Sequence, residues 1–441
     1  MRKGFPLSER LPKTFSDAIL VAHRLGIPYL WIDSLCIVQA DESDWAVESS
    51  RMAAVYSNSY LTIAAASSDS DDKGFLRPRP FEYSTVRLTS TSGDSALVYL
   101  SRKENVPGRR EALGDPLFRR AWVLQEQYLS KRTLVFSEKQ IYFVCHQLAN
   151  PYTQPLSESN RLSQLNLNSA FRSVASDWRR VPEELSAREL TYDTDKLPSI
   201  AGIASSVSTT SNGAQRKYCA GLWMDELPND LLFYRFGKTV ALQEYAAPSW
   251  SWAALNGSVS WISDDLELRA NEELAGIFPD QIENCEIMLR DTRSPYGRVD
   301  AGCSLTIRSH IVELNYCSAS VESQMPTWQE SIEGPSSPYN LVEKEPCSYD
   351  ISQTIAWCIF DLPGAKPDRI TGIILTFRRD EEFWGELGNK RKGLVGILAV
   401  PRANGNGLDG HTRVGVFEIS TPRGTAEQIL EEFPPQRIVL Y

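Results

Sequence analysis

Pro12-Lys-Thr-Phe15-Ser-Asp-Ala-Ile-Leu-Val-Ala-His-Arg-Leu-Gly26-Ile-Pro-Tyr29-Leu-Trp-Ile-Asp33 has the pattern of a helix followed by a short strand. Phe15, Ala18, Ile19, Ala22 and Leu25 recur at helical spacing, which predicts a helix over 12–26. Pro12 suits its first turn, and Gly26 followed by Pro28 is a stop signal. Tyr29–Asp33 is a short apolar run rich in strand formers and predicts a buried strand ending in a carboxylate. Helix followed by buried strand is the grammar of an α/β layer. The pattern then repeats. Residues 44–58 predict a second helix, with Ser43 as N-cap, and Leu61-Thr-Ile-Ala-Ala-Ala66 predicts a second buried strand.

Further along, Trp122–Leu129 predicts a helix, and Thr133–Phe136 with Gln140–Cys145 predicts a hairpin. Residues 151–168 are rich in Ser, Asn and Gln and read as a linker. Residues 169–207 read as helical, broken near Pro182 and Pro198. Beyond about 245 the texture changes to short strand-like runs, among them Ser304–Ile311, Ile370–Phe377, Gly393–Val400 and Arg413–Ile419. The Ser/Pro/Glu-rich stretch 322–348 reads as a surface loop. The expected organisation is an α/β domain over 1–150, a helical extension over 151–257 and a β-rich domain over 258–441.

Composition removes several classes of function. The chain has 441 residues, enough for two or three cores. A formal charge of −10 disfavours binding to phosphate backbones, so no nucleic-acid partner is expected. No apolar run approaches the length of a membrane span, and no signal-peptide core follows Met1. Eight scattered cysteines without a CxxC fit a reducing cytoplasm better than a disulfide framework. Four histidines leave little material for a metal centre, and none is expected.

Several motifs fail on context. Gly405-Asn-Gly-Leu-Asp-Gly410 has the letters of a dinucleotide loop but lies between strand-like runs, so it reads as a hairpin loop. Asp69-Ser-Asp-Asp-Lys-Gly74 starts like a calcium loop, but its twelfth position is Pro80. Cys145-His146 is one adjacent pair with no partner motif. Trp250 and Trp252 share a face if that segment is extended, which reads as core packing where two domains meet.

Two carboxylates carry more. Glu48 lies three residues after Trp45 and four before Met52, on or beside the apolar stripe formed by Trp45, Ser49, Met52, Val55 and Tyr56. A carboxylate there is either paired at the stripe's edge or held in a cleft. Such a cleft would open at the end of the Tyr29–Asp33 strand, with Asp33 as neighbour. In Arg119-Arg-Ala-Trp122-Val-Leu-Gln125-Glu126, Trp122, Gln125 and Glu126 share a helical face, and Arg120 is placed to pair with a carboxylate. A metal-dependent hydrolase built on Asp33, Glu48 and Glu126 has no ligand spacing to support it.

The succession Leu11-Pro-Lys-Thr-Phe15, Leu25-Gly-Ile-Pro-Tyr-Leu-Trp31-Ile-Asp33-Ser-Leu-Cys36, Asp44-Trp45-Ala-Val-Glu48 and Arg120-Ala-Trp122-Val-Leu-Gln125-Glu126 strongly resembles the HET (heterokaryon incompatibility) domain of filamentous fungi. Leu190-Thr191, Ala220-Gly-Leu-Trp223 and Ala247-Pro-Ser-Trp250-Ser-Trp252 are similar to its downstream signature. The resemblance spans about residues 5–257. It implies a role in non-self recognition and programmed cell death, exerted through a protein partner or self-association. It also implies a flavodoxin-like layer similar to TIR domains, some of which cleave NAD with a helix glutamate. On that analogy Glu48 is the expected catalytic carboxylate, Asp33 and Arg120 support it, and Trp45 and Trp122 are the aromatic candidates for holding the nucleotide. No cofactor is implied beyond NAD as candidate substrate. A non-catalytic interaction module is the alternative. The family usually opens with a Tyr-Val-Ala-Leu-Ser-Tyr-Cys-Trp-Gly strand before the Leu11 block. None precedes Leu11 here, so a layer lacking its first strand is expected.

Overall fold

The computed structural model describes residues 11–38, 41–79, 84–89, 95–100, 114–138, 141–145, 178–210, 213–262, 281–316, 345–348, 355–362, 367, 370–379, 392–402, 410–421 and 430–441. The linker expected over 151–168, most of the 322–348 loop, Pro80, His146 and all but the last residue of the 405–410 glycine loop lie outside these. The chain divides into two compact units. The first holds residues up to Trp178 together with 188–190 and 199–203, and the second holds the remainder. Both helices and a large β-sheet are present, so the class is mixed α and β.

In the first unit, helix α1 (Lys13–Arg24) closes at Gly26, which takes a φ of +69° as a helix stop requires. It buries Phe15, Ala18 and Ala22, and Ala18 packs with Phe75 and Phe136. The strand expected at Tyr29–Asp33 does not form. Ile32 has extended dihedrals, but the run has no ladder partner among the described residues, and Tyr29 is 87% exposed. Asp33 instead opens a single helical turn, α2 (Asp33–Cys36), where its carboxylate accepts the Ser34 N–H at 2.8 Å. A β-prone run becomes a strand only when another edge completes its hydrogen bonds.

Helix α3 (Glu42–Asn58) begins earlier than expected. Asp41, not Ser43, is its cap, accepting the Asp44 N–H at 3.1 Å. Strand β1 (Thr62–Ala64) follows, then a hairpin of β2 (Ser84–Thr89) and β3 (Ser95–Leu100). Helix α4 (Trp122–Leu129) leads into β4 (Arg132–Phe136) and β5 (Ile141–Cys145). β1 runs parallel to β4, and β4 antiparallel to β5, giving the order β1-β4-β5. Ala64, Val135 and Val144 from these strands close a core with Ala66, Phe118 and Val123.

In the second unit, helix α5 (Arg180–Ser186) carries Pro182 inside its first turn, where no intrahelical amide is needed. The proline therefore starts this helix instead of breaking one. Over 190–257 short 3-10 turns and two- or three-residue strands outnumber helix, so the expected helical extension is largely irregular there. Trp250 and Trp252 are both fully buried within this unit. Their segment is not an extended strand, because a 3-10 turn begins at Trp252, capped by Ser251.

The large sheet follows. β6 (Ile282–Glu286), β7 (Ser304–Tyr316), β8 (Glu345–Ser348), β9 (Ile355–Phe360), β10 (Ile370–Arg379), β11 (Lys392–Pro401), β12 (His411–Thr421) and β13 (Pro435–Leu440) form one eight-stranded sheet. The order β7-β8-β9-β12-β11-β10 returns to β7 through Ile311–Leu314 pairing with Ile370–Ile373, so the pairings of six strands close a ring. The four runs read as strands in the C-terminal third all lie within it. Val312, Leu314, Phe360, Ile374, Leu398 and Phe417 are among the buried residues of its core.

Candidate functional site

The first unit contains an open cleft of about 1370 Å³. Its walls come from the 25–34 connection, Tyr56 on α3, residues 59–65 around β1, residues 116–120, and Val123, Glu126 and Gln127 on α4. Local structure fixes the α4 side. Val123, Glu126 and Gln127, at i, i+3 and i+4, share the face that lines the cleft, while Leu124 is buried. Gln125 is buried, and its side-chain carbonyl accepts the Gly202 N–H at 2.6 Å. Residues 188–190 lie parallel to the approach to α4. The Ala121 N–H donates to the Glu189 carbonyl at 2.9 Å, and the Glu189 N–H donates to the Arg119 carbonyl at 2.6 Å. Arg188 donates to the Gln127 side-chain carbonyl at 2.9 Å.

At the centre, the Tyr56 hydroxyl hydrogen-bonds the Glu126 carboxylate. The Glu126 carboxyl is pushed up to about 7, first by burial and then by the charge of Asp33. Arg120, the Tyr56 hydrogen bond and Arg188 oppose that rise. The Tyr56 phenol is raised as well, by burial and by the charges of Glu126 and Asp33. Near neutral pH Glu126 therefore exchanges a proton readily beside a second carboxylate, the arrangement by which a protein separates the roles of two acids. The Trp31 ring meets Tyr56 edge to face, with centroids 5.9 Å apart. Arg119 and Arg120 add exposed positive charge to the wall.

The expected site residues are thus divided. Asp33 and Arg120 line the cleft; Glu48, Trp45 and Trp122 do not. Glu48 accepts a hydrogen bond from Arg51, one turn along α3, at 2.9 Å. This is the paired, stripe-edge form of a helix carboxylate. Trp45 and Trp122 pack edge to face against each other, centroids 6.2 Å apart, and so brace α3 on α4. Sequence reasoning placed Tyr56 on the inward stripe without giving it a role. Its signal was a phenol on a buried face, which needs a polar partner. Among the described residues no group of three or more His, Cys, Asp or Glu is placed to hold a metal ion, and no helix is long and apolar enough to cross a membrane.

Residues 3–126 match the family model described as heterokaryon incompatibility protein (HET). The match ends at Glu126 and contains α1 to α3, β1 to β3 and the first part of α4. No curated protein and no solved structure matches the chain.

Proposed function

We propose that this chain is a heterokaryon-incompatibility-type effector of non-self recognition and cell death, acting in the cytoplasm, and that its HET domain hydrolyses the nicotinamide–ribose bond of NAD in the cleft of the first unit. The observation that carries the reading is Glu126, half-buried, bonded to Tyr56 and facing Asp33 inside that cleft. Breaking the bond builds positive charge on the ribose, which the Asp33 carboxylate stabilises. Glu126 takes the proton of the attacking water, and a base that titrates near the working pH suits that task. Nicotinamide leaves neutral, and the proton passes from Glu126 to solvent. In this reading Arg120, with Arg119 beside it, meets the diphosphate. Tyr56 is a positioning residue, since it orients Glu126. The six described free cysteines support a reducing compartment.

The test is nicotinamide release from NAD at high protein concentration by wild type, Glu126→Gln, Asp33→Asn and Glu48→Ala. Glu126→Gln is expected to lose at least about 100-fold in rate, the usual scale of a lost general base, while Glu48→Ala stays within about twofold. Release that survives in Glu126→Gln and vanishes in Glu48→Ala would return the chemistry to Glu48. No release from wild type would favour the second reading, a non-catalytic module that works by binding a protein partner or a second copy of itself. The pairing of Glu48 with Arg51 outside the cleft favours that reading, as do the exposed Tyr29 and Tyr60 rings on the cleft wall.

A further inference from the structure

Residues 188–190 belong to the first unit although the chain on either side of them belongs to the second, and they lie outside the matched segment 3–126. Main-chain bonds fix this strap. Glu189 and Arg120 are partners in a parallel bridge. The Glu189 N–H donates to the Arg119 carbonyl at 2.6 Å, and the Ala121 N–H donates to the Glu189 carbonyl at 2.9 Å. Bridge partners carry their side chains on one face, and both of these line the cleft. Both are exposed, and neither side chain makes a hydrogen bond or ion pair among the described residues. A guanidinium and a carboxylate therefore stand side by side on the cleft wall, each with its polar atoms available to a ligand. That combination suits a phosphate and the sugar joined to it. The guanidinium takes phosphate oxygens, and the carboxylate accepts from the vicinal hydroxyls of a ribose. A carboxylate also repels a phosphate group set in place of one of those hydroxyls.

We propose that Glu189 is a specificity-determining residue of the cleft: it accepts hydrogen bonds from the 2′ and 3′ hydroxyls of the adenosine ribose and so selects NAD over NADP, whose 2′ oxygen carries a phosphate. The inference rests on the reading of the cleft as a site of NAD cleavage. In that reading Arg120 meets the diphosphate, and Asp33 and Glu126 take the nicotinamide end. The other ribose is joined directly to the diphosphate, so it lies within reach of the residue bridged to Arg120. No bond changes at this ribose, and Glu189 acts on recognition alone. Arg119 also lines the wall, but its guanidinium donates to the Gly114 carbonyl at 3.4 Å, and Arg120 is engaged by the diphosphate. A 2′-phosphate beside Glu189 would thus meet a negative charge with both wall arginines already occupied. The bonds that hold the strap belong to the main chain, so replacing the Glu189 side chain leaves them in place.

The full chain, as wild type, Glu189→Gln and Glu189→Arg, is compared in nicotinamide release from NAD and from NADP. Binding of ADP-ribose and of 2′-phospho-ADP-ribose is measured on the same proteins by calorimetry. Wild type is expected to favour NAD in kcat/KM by about tenfold or more, chiefly through KM, and to favour ADP-ribose in affinity by a similar factor. Glu189→Gln should bring both ratios to within about threefold of unity, and Glu189→Arg should reverse them, since arginine accommodates a 2′-phosphate. Circular dichroism checks each variant, with Glu189→Ser replacing Glu189→Arg if the latter unfolds. An equal loss on both dinucleotides in Glu189→Gln, with the wild-type ratio kept, would overturn the assignment. So would a wild type that binds neither ADP-ribose nor its 2′-phosphate. A wild type that binds ADP-ribose with the expected preference and yet releases no nicotinamide would support the Glu189 subsite and refute the cleavage reading, which separates the two failures.

Discussion

Replacing Glu126 by glutamine removes a titration that works against folding. Burial and the charge of Asp33 raise this carboxyl from an ordinary 4.5 to about 7. The native state therefore keeps a proton that the unfolded chain has already released. Across that window the native state binds more protons than the unfolded one, so stability falls as pH rises from about 4.5 to 7, and the whole penalty is present above about 7. The displacement from 4.5 to about 7, at about 1.4 kcal/mol per pH unit, corresponds to about 3 kcal/mol. Glutamine has nearly the same shape, stays uncharged and still accepts from Tyr56. Glu126→Gln should then match wild type near pH 4 and exceed it by an amount on the order of 3 kcal/mol near pH 8. Hydrogen exchange of the Trp122–Leu129 amides in both proteins across that range is the assay, because it reports the opening of this helix and not of the second unit. A difference between the two proteins that does not change with pH would refute the reasoning. It would mean that solvent or a neighbour holds the Glu126 carboxylate at its ordinary value.

Three further perturbations test the frame around the site and the second unit. The buried Asp17 carboxylate accepts the Phe75 and Leu76 N–H groups at 2.8 and 2.9 Å and pairs with Lys13; Asp17→Ala orphans two amides and should cost about 2–4 kcal/mol in urea unfolding. Burial pushes the Asp17 carboxyl up, but Lys13 and those two amides outweigh it and hold the group low, so its contribution is present above the ordinary carboxylate value and is lost as pH falls below it. Gly202→Ala would set a methyl 2.6 Å from the Ala53 Cβ and 2.7 Å from the Gln125 side-chain oxygen, and thermal melting should show a loss of about 1–3 kcal/mol. Arg413 is fully buried, pairs with Asp361, and lies 3.6 Å over the Phe233 ring; Arg413→Met leaves a buried carboxylate alone and should cost about 3–5 kcal/mol by chemical denaturation. Lysine should not rescue that loss, because it lacks the second nitrogen that reaches the Phe233 carbonyl.

Elements whose signals are local were legible. The α1 helix carries both its period and its stop, and β7, β10, β11 and β12 are apolar runs long enough to read as strands. What failed depended on a partner distant in sequence. Tyr29–Ile32 has the composition of a strand, yet a strand is a relation between two segments, and the described residues supply no second edge. The closure of the ring is likewise a pairing of Ile311–Leu314 with a segment some sixty residues away, which no local pattern encodes. The period-two spacing of Trp250 and Trp252 puts them on one face only if the segment is extended. The Ser251 side chain, donating to the Ala220 carbonyl at 2.6 Å, fixes a turn there through a tertiary contact.

The site shows the same division more sharply. Glu48 and Glu126 look alike in sequence, each a glutamate near tryptophan on a helix with an apolar face. Their environments differ through residues far away in the chain. Glu48 has Arg51 within its own helix, an i, i+3 pair worth a few tenths of a kcal/mol. Of the groups that act on Glu126, Arg120 alone is near in sequence. Its hydroxyl donor, Tyr56, is seventy residues earlier, its opposing charge, Asp33, earlier still, and Arg188 comes from a strap sixty residues later. Only folding brings these groups together, and only that convergence moves a carboxyl into the range where it exchanges protons at neutral pH. A sequence search for a catalytic acid favours the glutamate with a recognisable local frame. Physical chemistry favours the one whose frame is assembled at a distance, because that frame is what moves the Glu126 carboxyl toward neutral pH.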